Sequence, residues 1–187
     1  MQFSYFACIQ YTLNINRLDS QPKKEGIGLF FNYILVKNIP ANLSSYKSFK
    51  IKQGYLSSSH PALRIRQKGN SFELTKKLPL KPGDWSSVEE INIPLTQQEF
   101  DKLWPLTEKY LEKTRYLIPL ENDLTAELDV FEEKLIGLAF VEVEFSSQAE
   151  MNLFKAPDWF GQDITQEDFS ANNFLAGKTF LEIKKYL

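Results

Sequence analysis

Ten polar or charged side chains fall into five pairs spaced two residues apart: Arg64 and Arg66, Glu90 and Asn92, Lys113 and Arg115, Glu127 and Asp129, and Glu142 and Glu144. On a β-strand successive side chains alternate sides, so residues i and i+2 share a face. Leu63, Ile65, Ile91, Ile93, Leu128, Val130, Val141, Val143 and Phe145 stand between and beside them, which gives each strand one apolar and one charged face. An antiparallel sheet with one side in water shows the same alternation. The distinguishing feature here is sign, because whole strands are basic in two cases and acidic in three. Like charges at this spacing repel unless something binds between them, and single-sign ladders on neighbouring strands are what a site for a polyanion and a metal ion requires.

Ligand type sets the chemistry. A guanidinium offers a planar fork of donors matched to phosphate oxygens and lysine adds a compact charge, so Arg64, Arg66, Lys77, Lys113 and Arg115 suit successive phosphoryl groups. Carboxylates are hard oxygen ligands for Mg²⁺ or Mn²⁺, and Glu142, Glu144, Glu127, Asp129 and Glu90 form the candidate donor set. Phosphoryl transfer to water needs positioning, electrostatic stabilisation and an oriented nucleophile, with no serine or cysteine nucleophile. No individual catalytic group stands out.

Positioning these residues requires strands. Residues 29–36 and 86–94 read as strands; 54–67 and 71–78 form a hairpin around Gly69 and Asn70; 113–120 and 125–131 form another around Glu121-Asn-Asp; and 137–145 is a further strand. Thr96-Gln-Gln-Glu99 is a capping-box pattern at a helix start, with Phe100, Leu103, Thr107, Tyr110 and Leu111 roughly at helical spacing and Pro105 set to kink or restart the helix. Residues 147–154 and 165–175 read as short helices. The first 15 residues suggest a strand or an aromatic-rich extension, and 16–28 a polar linker containing Lys23 and Lys24. The fold class is therefore mainly β with α additions, a barrel or sandwich. The domain division is an extension over 1–28 and a main domain over 29–187.

Composition narrows the function classes. At 187 residues, with 43% hydrophobic and 25% charged residues, the chain is expected to form one globular domain. A net charge of -2 gives no bulk attraction to nucleic acid or to an anionic membrane, so any anion site is local. Cys8 alone cannot form an internal disulfide, and no apolar run approaches the roughly 18 residues of a membrane span; a cytoplasmic location is expected. The eight glycines lack phosphate-loop spacing. His60, beside Pro61 in a Ser-rich turn, reads as a solvated loop residue, and Trp85, Trp104 and Trp159 read as core or rim aromatics.

The ordered series Gln53-Gly-Tyr-Leu56, Ala62-Leu-Arg-Ile-Arg66, Leu74-Thr-Lys-Lys77, Lys113-Thr-Arg-Tyr116, Glu127-Leu-Asp-Val-Phe131, Glu142-Val-Glu-Phe145 and Asp158-Trp-Phe-Gly161 resembles the CYTH family. These are the triphosphate tunnel enzymes, which include inorganic and thiamine triphosphatases and class IV adenylate cyclases. The resemblance runs from about residue 35 to about residue 177. It implies a closed, eight-stranded antiparallel barrel whose polar interior holds a triphosphate and a divalent metal, Mg²⁺ or Mn²⁺. The basic residues above match the family's phosphate positions. Glu127, Asp129, Glu142 and Glu144 match acidic positions, the last pair being best placed for metal, and Glu90 matches another beside Asn92, where a second glutamate is common.

The departure lies at the front. Family members open with Glu-x-Glu-x-Lys, and here Leu29, Phe31 and Tyr33 occupy those places, an apolar trio unsuited to a hard cation. The resemblance implies a divalent-metal-dependent hydrolase of a triphosphate, inorganic triphosphate first. Alternatives are a catalytically silent module binding polyphosphate or nucleotide, and an adenylate cyclase, for which no purine pocket is evident. A weak surviving site, a binder without turnover, and a chain whose residues 1–33 are an altered beginning, such as a shifted reading frame, would each account for the departure. The expected partner is a small-molecule triphosphate or polyphosphate, with no nucleic acid and no membrane; oligomeric state, a homodimer included, is left open.

Overall fold

Alternating runs of β-branched and aromatic residues set off by Gly, Asn and Pro dominate the chain, and strands dominate the fold. The computed structural model describes residues 9–13, 30–57, 62–81 and 84–187. Leu29, His60, Cys8 and the whole of the expected linker over 16–28 lie outside the described residues. The strands are β1 (Ile9–Leu13), β2 (Phe30–Val36), β3 (Lys47–Ser57), β4 (Leu63–Lys68), β5 (Ser71–Lys81), β6 (Asp84–Leu95), β7 (Lys109–Pro119), β8 (Thr125–Phe131), β9 (Ala139–Phe145) and β10 (Phe160–Asp163). They form one sheet in the order β1-β6-β5-β4-β3-β7-β8-β9-β2-β10. Every pairing is antiparallel except β1 with β6.

The expectation of a closed eight-stranded barrel is corrected. The described sheet has ten strands and is open. Closure would need β6 to pair with an edge at the far side, but β1 lies on that edge of β6, from Ile9 opposite Ser87 to Leu13 opposite Ile91. At the far side β10 lies on β2, with Phe160 opposite Val36. Both edges that could meet are thus already hydrogen-bonded.

Local chemistry explains the turns. Gly69 adopts φ +57 between β4 and β5, a conformation free of Cβ strain only for glycine. Between β7 and β8, Asn122 and Asp123 take φ 57 and 58, left-handed values that these two side chains tolerate better than most. The strand expected over 54–67 is in fact two strands, β3 and β4, paired antiparallel with Gln53 opposite Arg66.

Helix α1 (Gln97–Leu103) begins with the expected capping box: the Thr96 hydroxyl accepts from the Glu99 amide and the Glu99 carboxylate accepts from the Thr96 amide at 2.7 Å. It stops where Pro105 enters a 3₁₀ turn, Trp104–Leu106. Tyr110 and Leu111 therefore belong to β7 rather than to the helix, and the Glu108 amide donates to Tyr55 O at 2.8 Å as the chain rejoins the sheet. Helix α2 (Gln148–Leu153) has Ser147 as its N-cap. Residues 165–175 form a 3₁₀ turn, Asp168–Ser170, and α3 (Asn172–Leu175) instead of one helix; the bend lets Phe169 and Leu175 both reach the same buried cluster. The last helix is α4 (Phe180–Lys184).

Two apolar cores flank the sheet. One face contributes Ile34, Leu128, Val141, Val143 and Phe145, packed with Met151, Phe154 and Phe160. The other contributes Tyr55, Leu111, Phe131 and Phe140, covered by Ile164, Phe169, Leu175 and Ile183 from the C-terminal segment. Among the described residues no helix is long and apolar enough to cross a membrane.

Candidate functional site

The second face changes character along its strands. Following i, i+2 steps, β9 runs Phe140, Glu142, Glu144; β8 runs Phe131, Asp129, Glu127; β7 runs Leu111, Lys113, Arg115; and β2 runs Leu35, Tyr33. The register aligns the steps, with Glu127 opposite Glu142, Tyr33 opposite Glu142 and Arg115 opposite Asp129. The apolar end of each run meets the C-terminal segment and the other end carries the charges. The sequence reading of one wholly charged face per strand is corrected accordingly: the charged part occupies half the face, and the other half is core.

Proximity to that core buries Lys113 and Asp129, which are 2% and 5% exposed. The Lys113 ammonium donates to Asp129 Oδ2 at 2.6 Å and to Asn172 Oδ1 at 3.0 Å. Burial lowers the Lys113 pKa against the opposing pull of Asp129. Asp129 is held below the usual carboxylate range: burial works against its charge, but Lys113 and Arg115 together outweigh it.

Arg115 is the hub. Its Nε and Nη2 donate to the two oxygens of Asp129, each at 2.7 Å, the bidentate geometry that a guanidinium fork favours. Nη1 donates to Glu127, and Nη2 also reaches Glu142 Oε2 at 3.2 Å. The single-sign ladders that seemed to demand a ligand thus neutralise one another across strands. This pairing is not legible from spacing within a strand, because it depends on strand order.

The other basic pair sits differently. Arg66 Nε donates to Glu73 Oε1 at 2.7 Å. Arg64 reaches that carboxylate only at 3.9 Å and donates from Nη2 to Thr75 Oγ1 at 3.1 Å; Thr75 in turn donates to Asn92 Oδ1 at 2.7 Å. Among the described residues Arg64 Nε is buried with no acceptor. Burial first, and then the like charge of Arg66, lowers the Arg64 pKa. A buried guanidinium with an idle donor beside a second one is a ready seat for an anion. Next to it the Tyr55 hydroxyl accepts from Gln53 Nε2 at 2.8 Å, and burial pushes its pKa up to about 12. On the neighbouring strands Lys77 lies opposite Glu90 in register, and Glu90 is buried.

Tyr33 is more than the apolar substitute expected from sequence. Its hydroxyl donates to Glu142 Oε1 at 2.9 Å, and its pKa is raised well above the ordinary value, first by burial and then by the charge of Glu142. Its backbone is fixed by the amide donating to Thr165 Oγ1 at 2.9 Å. Glu144 forms no ion pair or hydrogen bond among the described residues. Although it is exposed, the surrounding protein and then the charges of Glu142 and Glu127 raise its pKa. Glu127 is also raised, by burial first, with Arg115 opposing and Glu142 reinforcing. Glu127, Glu142 and Glu144 are hard oxygen donors on adjacent strands, the type of ligand a divalent cation takes. Among the described residues, however, no three carboxylates already converge as a metal centre.

Gln53, Tyr55 and Thr75 stand in the motif series of the sequence without a role assigned to them, and Glu73 stands outside it. Glu73, Thr75 and Lys77 repeat the i, i+2 spacing, a signal that would have found two of the four.

A CYTH domain model matches residues 46–171. The chain belongs to the CYTH family. An inorganic triphosphatase of Nitrosomonas europaea is 38% identical over 129 residues, which is 67% of this chain and 83% of that protein. A solved inorganic triphosphatase superposes with a TM-score of 0.65 at 31% identity, covering 82% of this chain and 97% of the other. A further crystal structure, described as a hypothetical protein, superposes with a TM-score of 0.65 at 33% identity, over 81% of this chain and 99% of the other. The CYTH match begins at Tyr46, after β2, so Phe31 and Tyr33 lie outside it, whereas Arg64, Arg66, Arg115, Asp129, Glu142 and Glu144 lie within it.

Proposed function

We propose that this CYTH protein hydrolyses the terminal phosphoanhydride of a triphosphate compound, inorganic triphosphate first, in the charged half of the sheet face. The observation that carries the reading is Arg64, whose buried Nε has no acceptor among the described residues and which shares β4 with a second arginine. The named activity of its relatives supports the same reaction. The working unit spans residues 29–187, with 1–28 an extension.

Arg64 and Arg66 would bind one end of the anion, and Lys77, Lys113 and Arg115 would continue the basic track. Arg66 carries Glu73 as a placeholder acceptor, a partner that a phosphate oxygen can replace at little electrostatic cost. Lys113 acts from behind, fixing Asp129 and through it the orientation of Arg115.

The donor set fits a divalent cation in chemistry, all hard carboxylates: Glu142 and Glu144 would hold Mg²⁺ or Mn²⁺ with Glu127 alongside, and Asp129 and Glu90 would shape the surrounding charge. A bound cation supplies charge neutralisation across phosphate oxygens during attack by water. Asp129, paired with both Lys113 and Arg115, is the least available of the five.

The test is phosphate release from sodium tripolyphosphate with Mg²⁺ or Mn²⁺. Release is expected, with Arg66→Ala and Glu144→Gln each lowering it by about 100-fold or more. Absence of release from every triphosphate tried, with either metal, would overturn the reading. The second reading, a binder without turnover, is favoured by the uptake of Glu127 and Glu142 by Arg115; it requires stabilisation by tripolyphosphate with no release.

A further inference from the structure

Both oxygens of Glu142 are engaged, one accepting from the Tyr33 hydroxyl and the other from Arg115, so a cation has to compete with both donors for it. Glu127 is likewise held by Arg115. The three carboxylates around Arg115 are not equally committed. Asp129 takes the guanidinium bidentately and is clamped from its other side by Lys113. Its side chain is 7% exposed, against 22% for Glu127 and 13% for Glu142. Asp129 therefore fixes the arginine in place, and the two glutamates are the partners that can be exchanged. The Arg115 N–H groups that hold the two glutamates are the same ones that phosphate oxygens would take.

We propose that Arg115 and Tyr33 form a latch on the cation-binding carboxylates, so that a divalent cation binds only weakly until a polyphosphate has bound. Phosphate oxygens replace Glu127 and Glu142 on Arg115, which stays on Asp129. The released glutamates then join Glu144, which has no partner among the described residues to give up, as ligands for the cation. The order follows from competition for the two glutamates, which Arg115 already holds. Without the anion, a cation approaching Glu142 meets a guanidinium about 3 Å from that carboxylate and is repelled by it; with the anion in place the same guanidinium is neutralised. β2 offers no carboxylate to bypass the latch, since Phe31 lies opposite Glu144 and Tyr33 opposite Glu142. The proposal rests on the triphosphate reading for the identity of the anion, and its tests are separable from turnover.

In the full chain, Mn²⁺ is titrated without any phosphate and free Mn²⁺ is followed by electron paramagnetic resonance. The wild type is expected to bind weakly. Arg115→Gln is expected to bind about tenfold more tightly, with a melting curve confirming that it is folded. Tyr33→Phe removes one hydroxyl and leaves the core shape intact; it is expected to gain about two- to fivefold and decides the matter if Arg115→Gln does not fold. Tripolyphosphate in the presence of EDTA is expected to raise the melting temperature of the wild type, since the anion binds first. Wild type binding Mn²⁺ alone as tightly as the variants, or tripolyphosphate stabilising the chain only when Mn²⁺ is present, would overturn the latch. Tight Mn²⁺ binding by Arg115→Gln together with no phosphate release from the wild type would sink the hydrolase reading and leave the latch standing.

Discussion

At the level of single residues, Glu144 and Asp129 respond to acid in opposite directions. The Glu144 carboxyl is raised by its surroundings and by Glu142 and Glu127, so its folded pKa lies above the value of about 4.3 found in unfolded chains. The folded form binds the extra proton between those two values, and stability falls as pH rises through that window. Glu144→Gln removes the charge. Because the group is exposed and screened, the expected gain is modest, a rise in Tm of about 1–2 °C at pH 7 that disappears near pH 4. Asp129 is depressed by Lys113 and Arg115. Its contribution is present above the unfolded value of about 3.9 and is lost as pH falls through the lower folded value. Thermal melts of both proteins between about pH 3 and pH 7 would show the Glu144 difference growing with pH and a common loss at the acid end. A Glu144→Gln protein less stable than wild type at pH 7 would contradict the assignment of repulsion at this carboxylate.

At the level of elements, much of the fold was legible because its causes are local. Thr96 and Glu99 lie three apart and cap α1 as their types dictate; Gly69 and the pair Asn122 and Asp123 mark the two hairpins. The i, i+2 charges were legible because strand alternation is itself local. Their cross-strand partners were not: Arg115 reaches Glu142 over 27 residues and Tyr33 reaches it over 109, distances at which only strand order decides who meets whom. β10 was missed for a similar reason, being four residues long and stabilised by its neighbour. Gly161 shows how tightly it is seated. A Cβ there would stand 2.7 Å from the Leu35 carbonyl oxygen, and backbone cannot move aside as a flexible side chain can. Gly161→Ala is expected to cost about 1–3 kcal/mol, read as a lower denaturant midpoint with unchanged slope. The strain should extend to the site, since the same stretch supplies Thr165 to the Tyr33 amide and Ile164 to the Tyr33 carbonyl. A midpoint equal to that of the wild type would mean that β10 does not hold β2 in register.

At the level of the whole molecule, the open sheet is the largest departure from the closed barrel that the family resemblance implied, and both edges that could close it carry an added strand, β1 on β6 and β10 on β2. β1 comes from the first 28 residues and pairs in parallel with β6, from Ser87 to Ile91, next to the register position where Glu90 faces Lys77. It covers a strand edge whose free N–H and C=O groups would otherwise seek a partner. The two arrangements make different demands on β6. If β1 alone protects that edge, a chain lacking residues 1–28 should still melt cooperatively, because both apolar cores are built from later residues. Its amides over Ser87–Ile91 should then exchange with solvent much faster than in the full chain, while those of β8 and β9, paired on both sides, keep their protection. Hydrogen exchange read by mass spectrometry on the two chains makes the comparison. Retained protection over Ser87–Ile91 after the deletion would mean that the freed edge of β6 has found another strand. In a sheet already bounded by β10 on its far side, that would require β2 and β10 to part, and the latch on Glu142 would be remade around a closed ring.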